Sequence, residues 1–515
     1  MTGHEILIPE RHNASLLLDR QLAAGYGQTL AVLSGEGRLT YAELFAQMCR
    51  TGAALRELGA HAGDRVLLVL DDSPAFPALF LGAIRVGIVP VPVNPFCRGD
   101  EYQYFVRDCG AALVVTDRTR AETVAASIGG ALSRDRILSI DGGSGLTELG
   151  KIAATQPSEI PPVDTHRDDV AFWLYSSGST GRPKGVVHLQ HDILFTCESY
   201  ARDVLRIERG DVTFSTTKLF HAYGLGNNLS FPYWAGATTV LMSGRVTPER
   251  VFATIAQSLP TLFFSTPTVY NALLHAASAP SALDSIRLCI SAAEPLPAAV
   301  WERWRDRYGL VILDGIGSTE MLHIYCSNRQ DDCIPGSSGR PVPGYDIKLV
   351  DERGIEVTGA GHGELQVRGD SALAEYWRQP QRTAEAFWDG WFSTRDRYRR
   401  DADGRYWYEG RSDDMFKVSG LWVSPVDVEG QLMKHPAVVE CAVIGVDVDG
   451  FVSPKAFVVL QPGIRGDEAL SSELATFCGT RLHRFQVPAS FSFINELPKT
   501  VTGKVQRFTL RERST

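Results

Sequence analysis

Residues 66–91 read VLLVLDDSPAFPALFLGAIRVGIVPV. The run at 66–70 is short, apolar and β-branched, which predicts a buried strand. Residues 73–86 then place apolar side chains at helical spacing behind a Ser-Pro start, and residues 88–91 form a second β-branched run. Strand, helix and strand in succession predict a parallel sheet covered by helices.

Working outward, Thr40-Tyr41-Ala42-Glu43 is a capping-box signature that opens a helix continuing through LFAQMCRTGAALRELGA (44–60). Further short strands are expected at 111–115, 137–140 and 238–241. After about residue 340 the rhythm changes. Residues 345–350, 363–367 and 406–408 read as short strands between Gly and Asp turns, as in a small antiparallel sheet or barrel. Beyond Gly410-Arg411-Ser412-Asp413-Asp414 the alternation restarts, with a helix at 425–434, strands at 438–446 and 455–460, and a helix at 467–482. A chain of 515 residues is also too long for one ordinary core. The expected fold is α/β. A large N-terminal domain (1–412) has helix-covered, mostly parallel sheets and a small β-barrel-like subdomain; a small α+β C-terminal domain (413–515) follows on a polar hinge.

A hydrophobic content of 44% with 22% charged residues fits a globular protein in water. The net charge of −9 argues against nucleic acid or an anionic membrane as partner. The nine cysteines show no CxxC or Cys/His zinc spacing and read as reduced thiols. The start MTGHEILIPERHN has no apolar core of a leader, and no apolar run reaches the ~18 residues of a membrane span. A cytoplasmic location is expected.

Chemistry concentrates in two places. YSSGSTGRPKG (175–185) follows an apolar run at 170–174. A glycine-rich turn after a strand bares backbone N–H groups, and Ser176, Ser177, Ser179 and Thr180 add hydroxyls around Gly178 and Gly181. Lys184 supplies a cation. It is not a Walker A loop, because Pro183 stands where that motif needs its second glycine. On these residues alone, a phosphate cradle and a flexible linker stand level. PKTVTGK (498–504), near the C-terminus, reads by itself as solvated surface.

Together and in order, SSGSTGRPKG (176–185), GSTE (317–320), YEGRSDD (408–414) and PKTVTGK (498–504) resemble the adenylate-forming superfamily. That group comprises acyl-CoA synthetases, adenylation domains of peptide synthetases and firefly-type luciferases. The resemblance runs from about residue 30 to 510. FHAYGLGNNLSFPYWAGATTVLM (220–242), DGIGSTEMLHIYCSN (314–328) and KVSGLWVSP (417–425) look most like benzoate-type aryl-CoA ligases.

The resemblance implies ATP, Mg2+ and coenzyme A as cofactors and an aromatic carboxylic acid as substrate. The acid would be activated as an acyl-adenylate, with pyrophosphate released, and then passed to the thiol of coenzyme A. A stand-alone enzyme loading a carrier-protein pantetheine is the alternative; a monomer or homodimer is expected. The loop Ser176, Ser177, Gly178, Ser179, Thr180, Gly181 and Lys184 would hold the β- and γ-phosphates. Thr319 would donate to the α-phosphate, Glu320 would ligate magnesium, and Lys504 would be the catalytic lysine. Asp396, with Arg411 beside it, would take the ribose hydroxyls. Adenine would lie on the backbone of Ala292, Ala293 and Glu294 and of Asp314, Gly315 and Ile316. Asp413 matches the hinge position, and Lys417, Ser419 and Gly420 would line the pantetheine channel.

For the acid itself, the resemblance points to Phe220, His221, Ala222, Tyr223, Ala292, Gly317, His323 and Ile324. Small residues leave a narrow slot beside the flat wall of Tyr223, suited to a planar ring. His323 would hydrogen-bond a ring substituent, which admits 2-aminobenzoate or a hydroxybenzoate beside benzoate. His221 stands where amino-acid-activating domains carry an Asp, which argues against an α-amino acid. The chain departs from the family at Arg395 and Ala293, where glycine is usual. The turn at Arg395 is therefore expected not to need positive φ.

Overall fold

The computed structural model describes residues 6–97, 100–176, 182–277, 279–412, 414–418, 421–448, 451–499 and 505–512. The stretch at 66–91 folds as its pattern requires. Strands Arg65–Val69 and Val89–Pro92 pair in parallel, joined by the helix Ala75–Arg85. The strands Ala111–Thr116, Ile137–Ser139 and Thr147–Glu148 extend the same sheet, all in parallel. The predicted capping box is present: Thr40 and Glu43 hold each other's backbone N–H at the start of the helix Tyr41–Glu57. That helix crosses Ala75–Arg85 where Gly52 meets Gly82. A Cβ on Gly52 would lie 2.4 Å from the Gly82 carbonyl oxygen, so only glycine permits this approach.

A nine-stranded sheet lies alongside. Its central strands Ile312–Gly317, Leu288–Ser291, Leu262–Ser265, Val212–Ser215, Thr238–Leu241 and Leu30–Ser34 are parallel, and its edges turn antiparallel. Inward-facing residues of these strands, such as Leu288, Ile290 and Leu313, are buried. The short strands after residue 340 form a five-stranded antiparallel sheet from Asp346–Val350, Gly361–Arg368, Phe387–Trp388, Trp391–Arg400 and Tyr406–Arg411.

The C-terminal residues have their own core. The strands Val438–Val448, Phe451–Leu460 and Ser490–Phe493 pack under the helices Pro425–Leu432 and Glu468–Gly479, around Val428, Leu432, Val443, Val458 and Leu474. Arg507, on the helix Arg507–Glu512, meets both carboxylate oxygens of Glu429 at 2.8 Å. Asp414 faces Arg507 at 3.6 Å and Arg511 at 2.7 Å. Among the described residues, no helix is long and apolar enough to cross a membrane.

Candidate active site

Strands Val170–Ser176 and Lys184–Leu189 form an antiparallel hairpin in which Ser176 stands opposite Lys184. Pro183 thus precedes a strand, in keeping with its inability to continue a helix. The short strand Glu375–Tyr376 pairs with Val187 and Val186, which brings Tyr376 beside Lys184. The Lys184 ammonium lies 4.1 Å from the centre of the Tyr376 ring. Glu320 completes the group: its Oε1 accepts from Ser176 Oγ at 3.2 Å and Tyr376 Oη at 3.0 Å, and Lys184 Nζ is 3.6 Å away. Only 15% of the Lys184 side chain and 13% of Glu320 are exposed, so the pair is partly desolvated. Burial lowers the ammonium pKa of Lys184 while Glu320 opposes it, and Arg382 and Arg395 add to the lowering. Burial, and then Glu320, push the Tyr376 phenol up, so it remains a donor.

Glu320 sits in a tight turn. After the strand Ile312–Gly317, Ser318 caps a single 3-10 turn, Thr319–Met321, by accepting from Met321 N at 3.2 Å. Leu322 leaves the turn at φ +63, a left-handed conformation that costs a non-glycine residue about 1–3 kcal/mol. Gly317 has a backbone reason to be glycine: a Cβ there would lie 2.5 Å from the His323 carbonyl oxygen.

At Asp396, strand Trp391–Arg400 bulges. Ser393 pairs opposite Gln366 and Arg397 opposite Glu364, so residues 394–396 face Leu365 alone. Thr394 Oγ1 donates to the Leu365 carbonyl at 2.9 Å and accepts from Asp396 N at 3.1 Å. Arg395 takes φ +57 at the crest, which corrects the expectation that this turn avoids positive φ. The bulge imposes the conformation whatever residue occupies it. It turns Asp396 toward Arg411, whose Nη1 donates to Asp396 Oδ1 at 3.2 Å. Ala293, the other departure from glycine, also lies in the left-handed region, at φ +75. Glu294 is held by Thr268 Oγ1 at 2.6 Å. Asp314 is buried with its carboxyl pKa raised by desolvation.

Phe220, Ala222, Tyr223, Ala292, His323 and Ile324 are all buried, while His221 and Gly317 are half-buried. The Phe220 and His221 rings lie 4.2 Å apart. The segment after Tyr223 is a turn of π-helix, Gly226–Ser230, which widens the helix there. His323 is boxed by Phe231 at 4.5 Å, Tyr200 at 5.4 Å and Tyr223 at 5.5 Å between ring centres. Its Nε2 faces two acceptors, Asn227 Oδ1 at 3.2 Å and the Tyr223 carbonyl at 3.3 Å, so Nε2 carries the hydrogen. Burial holds the imidazole pKa down to about 3, so the ring is neutral. Nδ1 is then a bare acceptor, buried and without a partner among the described residues.

The structure thus joins Ser176, Lys184 and Glu320 directly, and Asp396 with Arg411. Ser177, Gly178, Ser179, Thr180, Gly181, Asp413, Ser419, Gly420 and Lys504 lie outside the described residues. Lys417 is placed on the hairpin Phe416–Val418 and Leu421–Val423, with its ammonium 4.5 Å from the Trp422 ring. Sequence reasoning missed Tyr376 and Asn227. Tyr376 sits 56 positions from Glu320, and only pairing with Lys184–Leu189 brings it in. Asn227 lay inside a quoted motif, but its role depends on the π-turn.

A family model described as AMP-binding enzyme matches residues 19–377, and one described as AMP-binding enzyme C-terminal domain matches residues 427–504. The chain is 45% identical to a benzoate–CoA ligase of Thauera aromatica, over 99% of this chain and 98% of that one. The solved structure of an anthranilate CoA ligase in complex with anthranoyl-AMP superposes with a TM-score of 0.95 at 38% identity, covering 98% of each chain. A benzoate CoA ligase from Burkholderia xenovorans LB400 superposes with a TM-score of 0.91 at 40% identity, over 97% of this chain and 99% of that one.

Proposed function

The chain belongs to the AMP-binding enzymes, and from that premise we propose that it is an ATP-dependent aryl-CoA ligase. The observation that carries the reading is the meeting of Ser176, Lys184 and Tyr376 on one oxygen of Glu320, at the mouth of a glycine-rich hairpin loop. A partly buried cation and a carboxylate facing each other there suit a ligand that carries both phosphate and metal.

In the first step a carboxylate oxygen of the acid attacks the α-phosphorus of ATP. The bond to the bridging oxygen breaks, and pyrophosphate leaves with the electron pair. Two anions must approach, so the barrier is electrostatic. Lys184 and Ser176, with the loop between them, neutralise the leaving pyrophosphate. Thr319 donates to the α-phosphate, and Lys504 approaches from the C-terminal domain to bridge phosphate and carboxylate. Asp396 accepts from the ribose hydroxyls, with Arg411 beside it, and adenine lies against residues 292–294 and 314–316. Glu320 fits Mg2+: Oε1 is occupied by hydrogen-bond donors, and Oε2 has no hydrogen bond among the described residues. One carboxylate oxygen plus phosphate oxygens is the kind of donor set this hard cation takes. When bound, the metal screens the triphosphate charge.

In the second step the thiolate of coenzyme A attacks the acyl carbon, the acyl–phosphate bond breaks, and AMP leaves. Lys504 must then withdraw. Rotation of residues 413–515 about Asp413, relative to 1–412, brings Lys417, Ser419 and Gly420 to the pantetheine path. The acid would be a benzoate, with the buried aromatic and small side chains of Phe220, Ala222, Tyr223, Ala292 and Ile324 assigned as its wall. The bare Nδ1 of His323 accepts hydrogen bonds but cannot donate, which favours an amino or hydroxyl substituent on the ring.

The test is pyrophosphate release across benzoates, aminobenzoates, hydroxybenzoates and aliphatic acids, with and without coenzyme A. Release with aryl acids, and a thioester formed with free coenzyme A, are expected. Adenylate that becomes thioester only with a holo-carrier protein would overturn the acceptor, and preference for aliphatic acids would overturn the aryl reading.

A further inference from the structure

Two buried histidines beside the phosphate hairpin have no part in the scheme above. His188 lies in the strand Lys184–Leu189, and its ring stacks on Phe172 at 5.2 Å. Its Nε2 is 2.9 Å from the Thr319 carbonyl oxygen, and its Nδ1 is 2.7 Å from Asp192 Oδ2. Both side chains, His188 and Asp192, are 0% exposed.

Proton counting fixes what this contact is. A carbonyl only accepts, so Nε2 carries a hydrogen. The Nδ1···Oδ2 bond needs one more proton, on either nitrogen or oxygen. In both arrangements the pair is net neutral and Nε2–H stays aimed at Thr319. Leu189 N donates to the same Asp192 oxygen at 3.1 Å and holds the carboxyl in place. His191 is more constrained. Its Nδ1 faces the Arg167 carbonyl at 2.8 Å and its Nε2 the Asp370 carbonyl at 2.6 Å. Both partners are carbonyl oxygens, so a hydrogen on either ring nitrogen is donated to backbone. Asp192 Oδ1 lies 3.2 Å from its Nε2 and Asp168 Oδ1 3.4 Å from its Nδ1.

These contacts converge on one arch. The Thr319 carbonyl takes Leu322 N at 3.1 Å and His188 Nε2, which uses its two lone pairs. The next two carbonyls are held from the 370–373 segment: Glu320 O by Leu373 N at 2.7 Å, and Met321 O by Ser371 Oγ at 2.8 Å. His191 anchors that segment through Asp370. We infer that His188, braced by Asp192 and His191, is a positioning residue that sets the aim of Thr319 and Glu320 at the nucleotide phosphates. The inference rests on the adenylation reading for the identity of what Thr319 and Glu320 meet.

The test uses the full-length protein and compares His188→Gln with His188→Asn. Glutamine carries an amide N–H near the place of Nε2 and reaches Thr319; asparagine places its amide near Nδ1 and stops short. Expected for His188→Asn is a loss of about 10- to 100-fold in kcat for pyrophosphate release, as for other groups that orient a ligand-holding residue. A higher Mg2+ requirement should accompany it, with the KM for the aryl acid within about twofold of wild type. His188→Gln should recover to within about fivefold. Equal activities of the two variants, or a loss confined to the KM of the aryl acid, would overturn the inference. Imidazole 15N shifts of the wild type, assigned by the signal lost in His188→Gln, give a readout without turnover. A hydrogen on His188 Nε2 is expected. A bare His188 Nε2 would defeat this inference alone, whereas a wild type inactive with every aryl acid would defeat the functional proposal alone.

Discussion

Lys184 Nζ lies 3.6 Å from Glu320 Oε1 and 4.1 Å from the centre of the Tyr376 ring, so the hairpin's cation rests on the carboxylate across the site. On the proposed adenylation reading, an incoming triphosphate would replace that carboxylate as the partner of Lys184. Tyr376, which donates to Glu320 at 3.0 Å, would hold it in place during the exchange. Tyr376→Phe removes a donor to a charged group, worth about 1.5–3 kcal/mol, and should lower pyrophosphate release by about tenfold or more. Glu320→Gln should lower it further and weaken the response to Mg2+. A Mg2+ titration of both variants checks this.

Lys504 is expected to matter more than Lys184. Two unit charges at 4 Å are worth ~4 kcal/mol at an effective dielectric of 20, so its loss should cost orders of magnitude in adenylation. Lys504→Ala is expected to abolish adenylate formation yet still turn preformed aryl-adenylate into thioester. Equal loss of both half-reactions would remove the lysine from its role.

Gly226 sits against the His323 imidazole: a Cβ there would lie 2.3 Å from His323 Cδ2 and 3.1 Å from Phe231 Cζ. Gly226→Ala must displace the ring. It should raise the KM for the aryl acid by about tenfold or more while the KM for ATP stays near wild type, since contacts this tight cost 1–3 kcal/mol. Steady-state kinetics in both substrates separates the two.

Ala293 at φ +75 and Arg395 at φ +57 hold a conformation that glycine adopts without strain. Ala293→Gly and Arg395→Gly should each stabilise the fold by up to about 1 kcal/mol, strain relief outweighing the added freedom of the unfolded chain. Denaturant midpoints measured at equal slope are the check.

Asp72 is buried with Oδ1 accepting Leu219 N at 2.9 Å and Oδ2 unpartnered. Burial raises its pKa to about 7, against the opposing charge of Lys218. Between about 4, the unfolded value, and about 7, the folded chain holds a proton that the unfolded chain releases. Stability therefore falls as pH rises through that window, by about 1.4 kcal/mol per unit at most. Asp72→Asn should flatten this slope, raising the melting temperature at pH 8 relative to wild type and leaving it little changed at pH 4.

Much of the fold was legible because buried parallel strands announce themselves locally. Residues 66–70 and 88–91 fell within a residue of the observed strands Arg65–Val69 and Val89–Pro92, and Thr40 and Glu43 made the capping box their spacing promised. The conformation at Arg395 was not legible, because it follows from how strands at Gln366 and Glu364 pair across the bulge rather than from its neighbours. The π-turn at Gly226–Ser230 was hidden as well: nothing in its five residues, GNNLS, marks a change of helix type. Of the candidate site, the residues inside compact motifs were visible. Those that hold them, Tyr376, Asn227 and His188, come from elements whose proximity is set by sheet pairing and helix geometry.

The ion cluster of Arg507 with Glu429 and Asp414 has a mechanical consequence. Asp414 begins the chain beyond residue 413, and Arg507 follows Lys504 by three positions. The two ends of the segment from Asp414 to Arg507 are therefore held together by an ion pair. Under the proposed rotation, a torque applied at Asp414 would pass to Arg507 through an ionic joint only a few ångströms long, instead of through the ninety-odd intervening residues. On the proposed scheme, the segment works as a lever whose far end is tied back to its near end.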